Sequence, residues 1–147
     1  MAESKKDLRT LIRLRKWDVD EKQRALAVLL RQEEEVIARQ KALEAEVEAE
    51  IVFAGTAPVE QRSTLAPYLK RADNFRMRLA AALNEVRRQI AGAQENLAEA
   101  YRRLKTFEIT QEQRDAAEAA EENRLENIEL NELGLTLHRR KSASGQF

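Results

Sequence analysis

The chain has 147 residues, of which 35% are charged and 5% aromatic, with four glycines, two prolines and no cysteine. Lysine plus arginine equals aspartate plus glutamate at 26 each, so no global field draws the chain to nucleic acid or an acidic membrane. Disulfides and thiolate metal sites are excluded, and the weighting towards Ala, Glu, Leu, Arg and Lys marks long helices rather than a globule.

The opening MAESKKDLRT lacks the apolar core of a signal peptide. No apolar run reaches the ~18 residues of a membrane span, so a cytoplasmic protein without direct membrane insertion is expected. Helix one is predicted over about residues 5–54, with Ser4 as N-cap and Asp7 completing a capping box. Its apolar residues fall on two adjacent heptad rows. Leu8, Leu29, Val36 and Leu43 make one row, and Ile12, Val19, Leu26 and Val47 the other. Arg15, Lys22, Glu33 and Gln40 interrupt them, yet long stems lie along a seam with their heads in water. Leu14, Trp17 and Val28 fall on the opposite side and form a candidate partner patch. Residues 1–16 hold six Lys or Arg against two acids, but Leu8 and Ile12 belong to the seam, which disfavours a membrane-surface helix.

Gly55, Pro58 and Pro67 mark the one break, with a tip predicted at 55–63. Helix two is predicted over about 64–134, capped by Ser63 or Thr64 and stopped by Gly134, with a flexible tail at 138–147. Steps of four and three from Leu65 trace a seam through Leu69, Ala72, Arg76, Leu79, Leu83, Val86, Ile90, Ala93, Leu97, Ala100, Leu104 and Phe107. Only Arg76 breaks that row. A period of 3.5 sustained so long means a left-handed coiled coil. The expected fold is therefore all-α: one domain, a long antiparallel two-helix coiled-coil hairpin with a C-terminal helical overhang.

Folding about the tip is expected to pair positions whose numbers add to about 117, placing Leu43 near 74 and Leu8 near 109. Helix one then runs out near residue 112, where the seam also fails, continuing as Gln111, Arg114, Glu118 and Glu121. Residues 112–132 hold eight acids against Arg114 and Arg124. Residues 112–137 have two courses, extension to meet a basic partner or folding back over Leu14, Trp17 and Val28.

Nothing in the sequence reads as an active site. The glycines at 55, 92, 134 and 145 are too dispersed for a phosphate loop, and His138 is the single histidine. The paired carboxylates at Glu33–Glu35 sit on a solvated helix face. No enzyme, cofactor or metal is expected.

The stretch DLRTLIRLRKWDVDEKQRALAVLL resembles the opening of the FliJ family, the coiled-coil component of the bacterial flagellar type III export apparatus. ENRLENIELNEL is similar to that family's closing segment, through Glu122, Arg124, Leu125, Glu126, Leu130 and Glu132. Asn131 stands where the family has Asp, and Phe75 followed by Leu79 fits its second helix. The resemblance covers nearly the whole chain. It implies a non-enzymatic stalk, similar in shape to the shaft of rotary ATPases, associated with the flagellar base at the inner membrane. The implied partners are the hexameric export ATPase, the membrane export gate and export chaperones. Glu122, Arg124, Leu125, Glu126 and Glu132 would then meet the ATPase ring, while Tyr68, Phe75 and Leu79 in the tip half would meet the gate. The free protein is expected to be a monomer. Two alternatives stand beside this reading: the stalk of a virulence-type injectisome, and a dimerising coiled-coil holdase or scaffold.

Overall fold

The computed structural model describes residues 7–145. Among them the chain forms α1 (Arg9–Thr56), a short 3₁₀ helix (Val59–Thr64) and α2 (Leu65–Ser144), with no strand. The fold is the antiparallel two-helix hairpin that the heptads predict.

The seam follows the heptad steps residue by residue. Between Leu65 and Phe107 every seam position is buried or half-buried, and Tyr68 is the one further residue that is not exposed. On the facing side every seam position from Leu8 to Val47 is buried or half-buried, polar Arg15, Lys22, Glu33 and Gln40 included, and off the seam Asp18 and Ile37 are half-buried too. The core is thus a line, not a volume. Its buried members are Val19, Val36, Val47, Ala57, Ala72, Ile90, Ala100 and Leu104, and none is fully enclosed.

Contacts fall into two compact units. A tip unit spans Lys16–Tyr101, and a terminal unit joins the residues up to Arg15 with those from Arg102 onward. In the tip unit two cross-helix ion pairs set the register. Arg76, the residue that breaks the apolar row, reaches Glu44 with Nε to Oε1 at 2.6 Å and Nη2 to Oε2 at 3.0 Å, while its Nη1 meets Asp73 at 2.6 Å. Arg87 Nε meets Glu33 at 3.3 Å. A polar seam residue with one partner on the facing helix disfavours slipped pairings that would break that pair.

Both cross-helix pairs join positions whose numbers add to 120, not to the expected 117. The tip accounts for the three-residue difference. Helix α1 continues past residue 54 to Thr56, and the chain then winds from Val59 as a 3₁₀ helix straight into α2, so the fold-back centres near Glu60. Pro58, extended at φ −56° and ψ 150°, ends α1 because it offers no N–H and disfavours helix in the residue before it. Ser63 and Thr64 do not cap α2; their hydroxyls donate to the carbonyls of Glu60 and Gln61 at 3.2 and 2.9 Å.

The helix ends also differ from expectation. Ser4 lies outside the described residues, and α1 starts at Arg9, whose N–H donates to Asp7 Oδ1 at 3.0 Å. Helix α2 passes through Gly134 and covers 138–144 of the expected tail. A glycine stop requires a left-handed residue, and no described residue has positive φ. Gly134 is therefore an ordinary helical residue.

The Arg76–Glu44 pair carries a pH signature. Hydrogen bonding from Arg76 holds the Glu44 carboxyl below its ordinary value, and Arg76, donating to Glu44 and Asp73, is raised. A depressed carboxylate contributes stability at neutral pH that is lost as pH falls through its folded-state pKa. Glu44→Gln is expected to lower the urea midpoint at neutral pH, and the gap from the parent to close on acidification below the carboxylate range. Paired urea titrations check this; a gap unchanged by acid would remove the pair as the cause.

Candidate partner-binding surfaces

In the terminal unit the hairpin ends at a specific contact. The Leu8 N–H, at the start of α1, donates to Gln111 Oε1 at 2.8 Å, and Gln111 Nε2 donates to Asp115 Oδ1 at 2.9 Å. One turn inward, the Arg15 guanidinium lies 5.5 Å from the centroid of the Phe107 ring. Cation–π attraction offsets the position of Arg15 Nε, which is shielded from water without an acceptor among the described residues. At Gln111 a cleft of about 920 Å³ opens, lined by Asp7 and Arg9 on one side and by Arg114, Asp115, Glu118, Glu121, Glu122 and Leu125 on the other.

Beyond that point every described residue is exposed. Helix α2 shows no break in which the chain turns back, and Leu14, Trp17 and Val28 are themselves exposed, Trp17 to 54%. The overhang from 112 to Ser144 is about 50 Å long at ~1.5 Å per residue. At ~100° per residue, its eight acids from Glu112 to Glu132 all fall within about half the circumference. Two leucine-rich rows edge that acidic arc. Leu125, Ile128 and Leu135 make one, and Leu130, Leu133 and Leu137 the other, about half a turn away. All six are exposed, Leu130 to 63%.

The predicted site residues on this segment are not equivalent. Arg124 is held by Glu121 through Nη2 to Oε1 at 2.6 Å and Nε to Oε2 at 3.0 Å. That hydrogen bond lowers the Glu121 carboxyl and raises Arg124. The carboxylates of Glu122, Glu126 and Glu132 have no ion-pair partner among the described residues.

In the tip unit the three predicted residues separate. Leu79 is half-buried in the seam, and Tyr68 is half-buried beside it. Phe75 is 52% exposed, with the Arg78 guanidinium 5.8 Å from its ring centroid. Tyr68 lines a cleft of about 440 Å³ together with Phe53, a residue the heptad reading passed over because it sits one step off the seam. Exposed Ile51, Val52 and Val59 lie near it in the chain. A run of three large apolar residues before the break was the available signal.

No group of three or more His, Cys, Asp or Glu side chains is arranged to hold a metal among the described residues. No helix there is long and apolar enough to cross a membrane. What the molecule presents is helix surface: an uncovered acidic and leucine-rich segment and an apolar tip. The model of the flagellar FliJ protein family matches residues 4–143. The chain belongs to the FliJ family. No curated protein and no solved structure matches it. Members of the FliJ family are non-enzymatic components of the flagellar export apparatus that link its ATPase to the export gate, and membership implies association with the flagellar base.

Proposed function

We propose that this FliJ-family chain acts as a monomeric stalk whose overhang enters the hexameric export ATPase while its tip half meets the membrane export gate, with export chaperones as a further partner class. The observation that carries the reading is the overhang, a long helix with leucines on two rows about half a turn apart and acids interleaved with them. A single groove covers one stripe of a helix, so two rows half a turn apart call for a partner that surrounds it. A lone helix of this kind is marginal in water, which couples its order to that partner. Glu122, Glu126 and Glu132 supply unpaired charge for basic groups of the ring, with Leu125 as an apolar contact and Arg124 fixed by Glu121. On the tip half, Phe75 and Tyr68 offer aromatic surface, and Leu79 supports them from the seam. Light scattering of the free protein should give the monomer mass, 16.9 kDa.

Charge reversal tests the ring contact. Glu122→Lys, Glu126→Lys and Glu132→Lys together are expected to weaken ATPase binding, and more at low salt than at high salt. Exposed charges are screened over about 8–10 Å at physiological ionic strength. Co-sedimentation across a salt series checks it, and a triple variant that binds like the parent at every ionic strength would overturn the assignment.

A further inference from the structure

We propose that the tip cleft between Phe53 and Tyr68 seats a large apolar side chain carried on a lysine- or arginine-flanked segment of a partner protein. The inference deepens the tip assignment above and rests on it only for where that segment comes from.

The cleft is concave and prepared. Its volume of about 440 Å³ lies in the ~300–1,000 Å³ range of ligand clefts. Phe53, Ala54, Ala57, Leu65 and Tyr68 supply apolar lining. Phe53 is 62% exposed, and neighbouring Val59, at 76%, is among the most exposed large hydrophobes of the chain. Such surface beside a concavity marks an interaction site more than scattered apolar residues do.

A set of hydrogen bonds spans the tip. The last turn of α1 has no lysine or arginine to meet its free carbonyls. Arg62 supplies that role from beyond the helix end, Nε donating to Ala57 O at 3.1 Å and Nη2 to Gly55 O at 3.4 Å. The Thr56 hydroxyl donates to Phe53 O at 2.9 Å, and the Gln61 N–H to Pro58 O at 2.9 Å. An ordered tip loses little freedom when something docks against it.

Charge selects the occupant. Along residues 44–60 Glu44 is held by Arg76, and Glu46, Glu48, Glu50 and Glu60 remain against Arg62, Lys70 and Arg71 of the following segment. Glu50 and Glu60 stand at the cleft, with Arg71 opposing them. An anionic lipid surface requires the reverse sign. A second copy would bring like charges together. A basic segment with an apolar anchor satisfies both the lining and the rim.

The probe is a blocked peptide, Lys-Lys-Leu-Phe-Lys-Lys, titrated into the full chain and followed by amide NMR shifts. The controls are its Glu-flanked counterpart and a version with Ser-Ser at its centre. Saturating shifts at Phe53, Ala57, Leu65 and Tyr68 are expected for the first peptide alone. Binding should be about tenfold weaker for Tyr68→Ala and for Phe53→Ser, the scale of a single anchor contact. Circular dichroism verifies folding, and Phe53→Ser keeps the test open where Tyr68→Ala disturbs the seam. Shifts spread over the acidic stretches whatever the peptide centre would overturn the proposal. So would tip-dependent capture by phosphatidylglycerol vesicles without peptide binding, or a mass doubling abolished by Phe53→Ser. Gate capture separates the two readings. Peptide binding with gate capture unchanged in both Phe53→Ser and Phe75→Ala supports the cleft and removes the gate assignment. No peptide binding, with gate capture lost only in Phe75→Ala, does the opposite.

Discussion

Truncation after Gln111 is expected to abolish ATPase binding and stimulation while leaving the hairpin's melting close to that of the full chain. The described residues of the removed segment, 112–145, are all exposed and hold no seam position. The cut keeps Gln111, whose Oε1 accepts the Leu8 N–H where α1 begins, and loses only its contact with Asp115. Helicity should fall by the amount the missing helix contributes and no more. Binding should fall below detection, because the two leucine rows and all eight carboxylates leave together. Circular dichroism melts and ATPase co-sedimentation measure the two arms independently. A truncated chain that fails to fold would mean that the overhang is part of the stability core. One that folds and still stimulates the ATPase would move the ring-binding surface elsewhere.

Ile90→Ala is expected to destabilise the hairpin by about 2–3 kcal/mol, the lower part of the range for large-to-small core substitutions. Ile90 is 8% exposed, and a two-stranded seam has open flanks that let its surroundings relax. Leu83, half-buried in the same row, should cost less when cut to alanine. Glu95 is exposed, so Glu95→Ala should remain within about 0.5 kcal/mol of the parent. Urea titrations of the three variants check the order. If Ile90→Ala costs no more than Glu95→Ala, stability does not reside in the seam.

The tip and the overhang were unequally legible. That 112–132 is acidic and leaves the seam is written in the sequence, since charge and period are local properties. That Glu122 is unpaired while Glu121 is held by Arg124 depends on rotamers. Phe53 reads as an ordinary helix residue until the 3₁₀ turn brings it beside Tyr68 in one cleft. Tyr68 and Phe75 look alike in sequence, each one step before a seam position. The structure half-buries the first and exposes the second.

By itself the sequence determined the all-helical hairpin and the residues that face its partner helix, because a 3.5-residue period forces the same stripe inward wherever the helix lies. Even Arg15, Lys22, Glu33, Gln40 and Arg76 occupy the seam positions that spacing demands. Register, helix ends and the cleft were decided only by tertiary structure. Heptad steps are satisfied equally well by neighbouring alignments. What selects a sum of 120 is the length of the tip, wound by Pro58 and clamped by Arg62, with Arg76 finding Glu44 across the seam. Gly134 could end a helix in principle, but with nothing packed against it to hold a left-handed residue, α2 continues to Ser144.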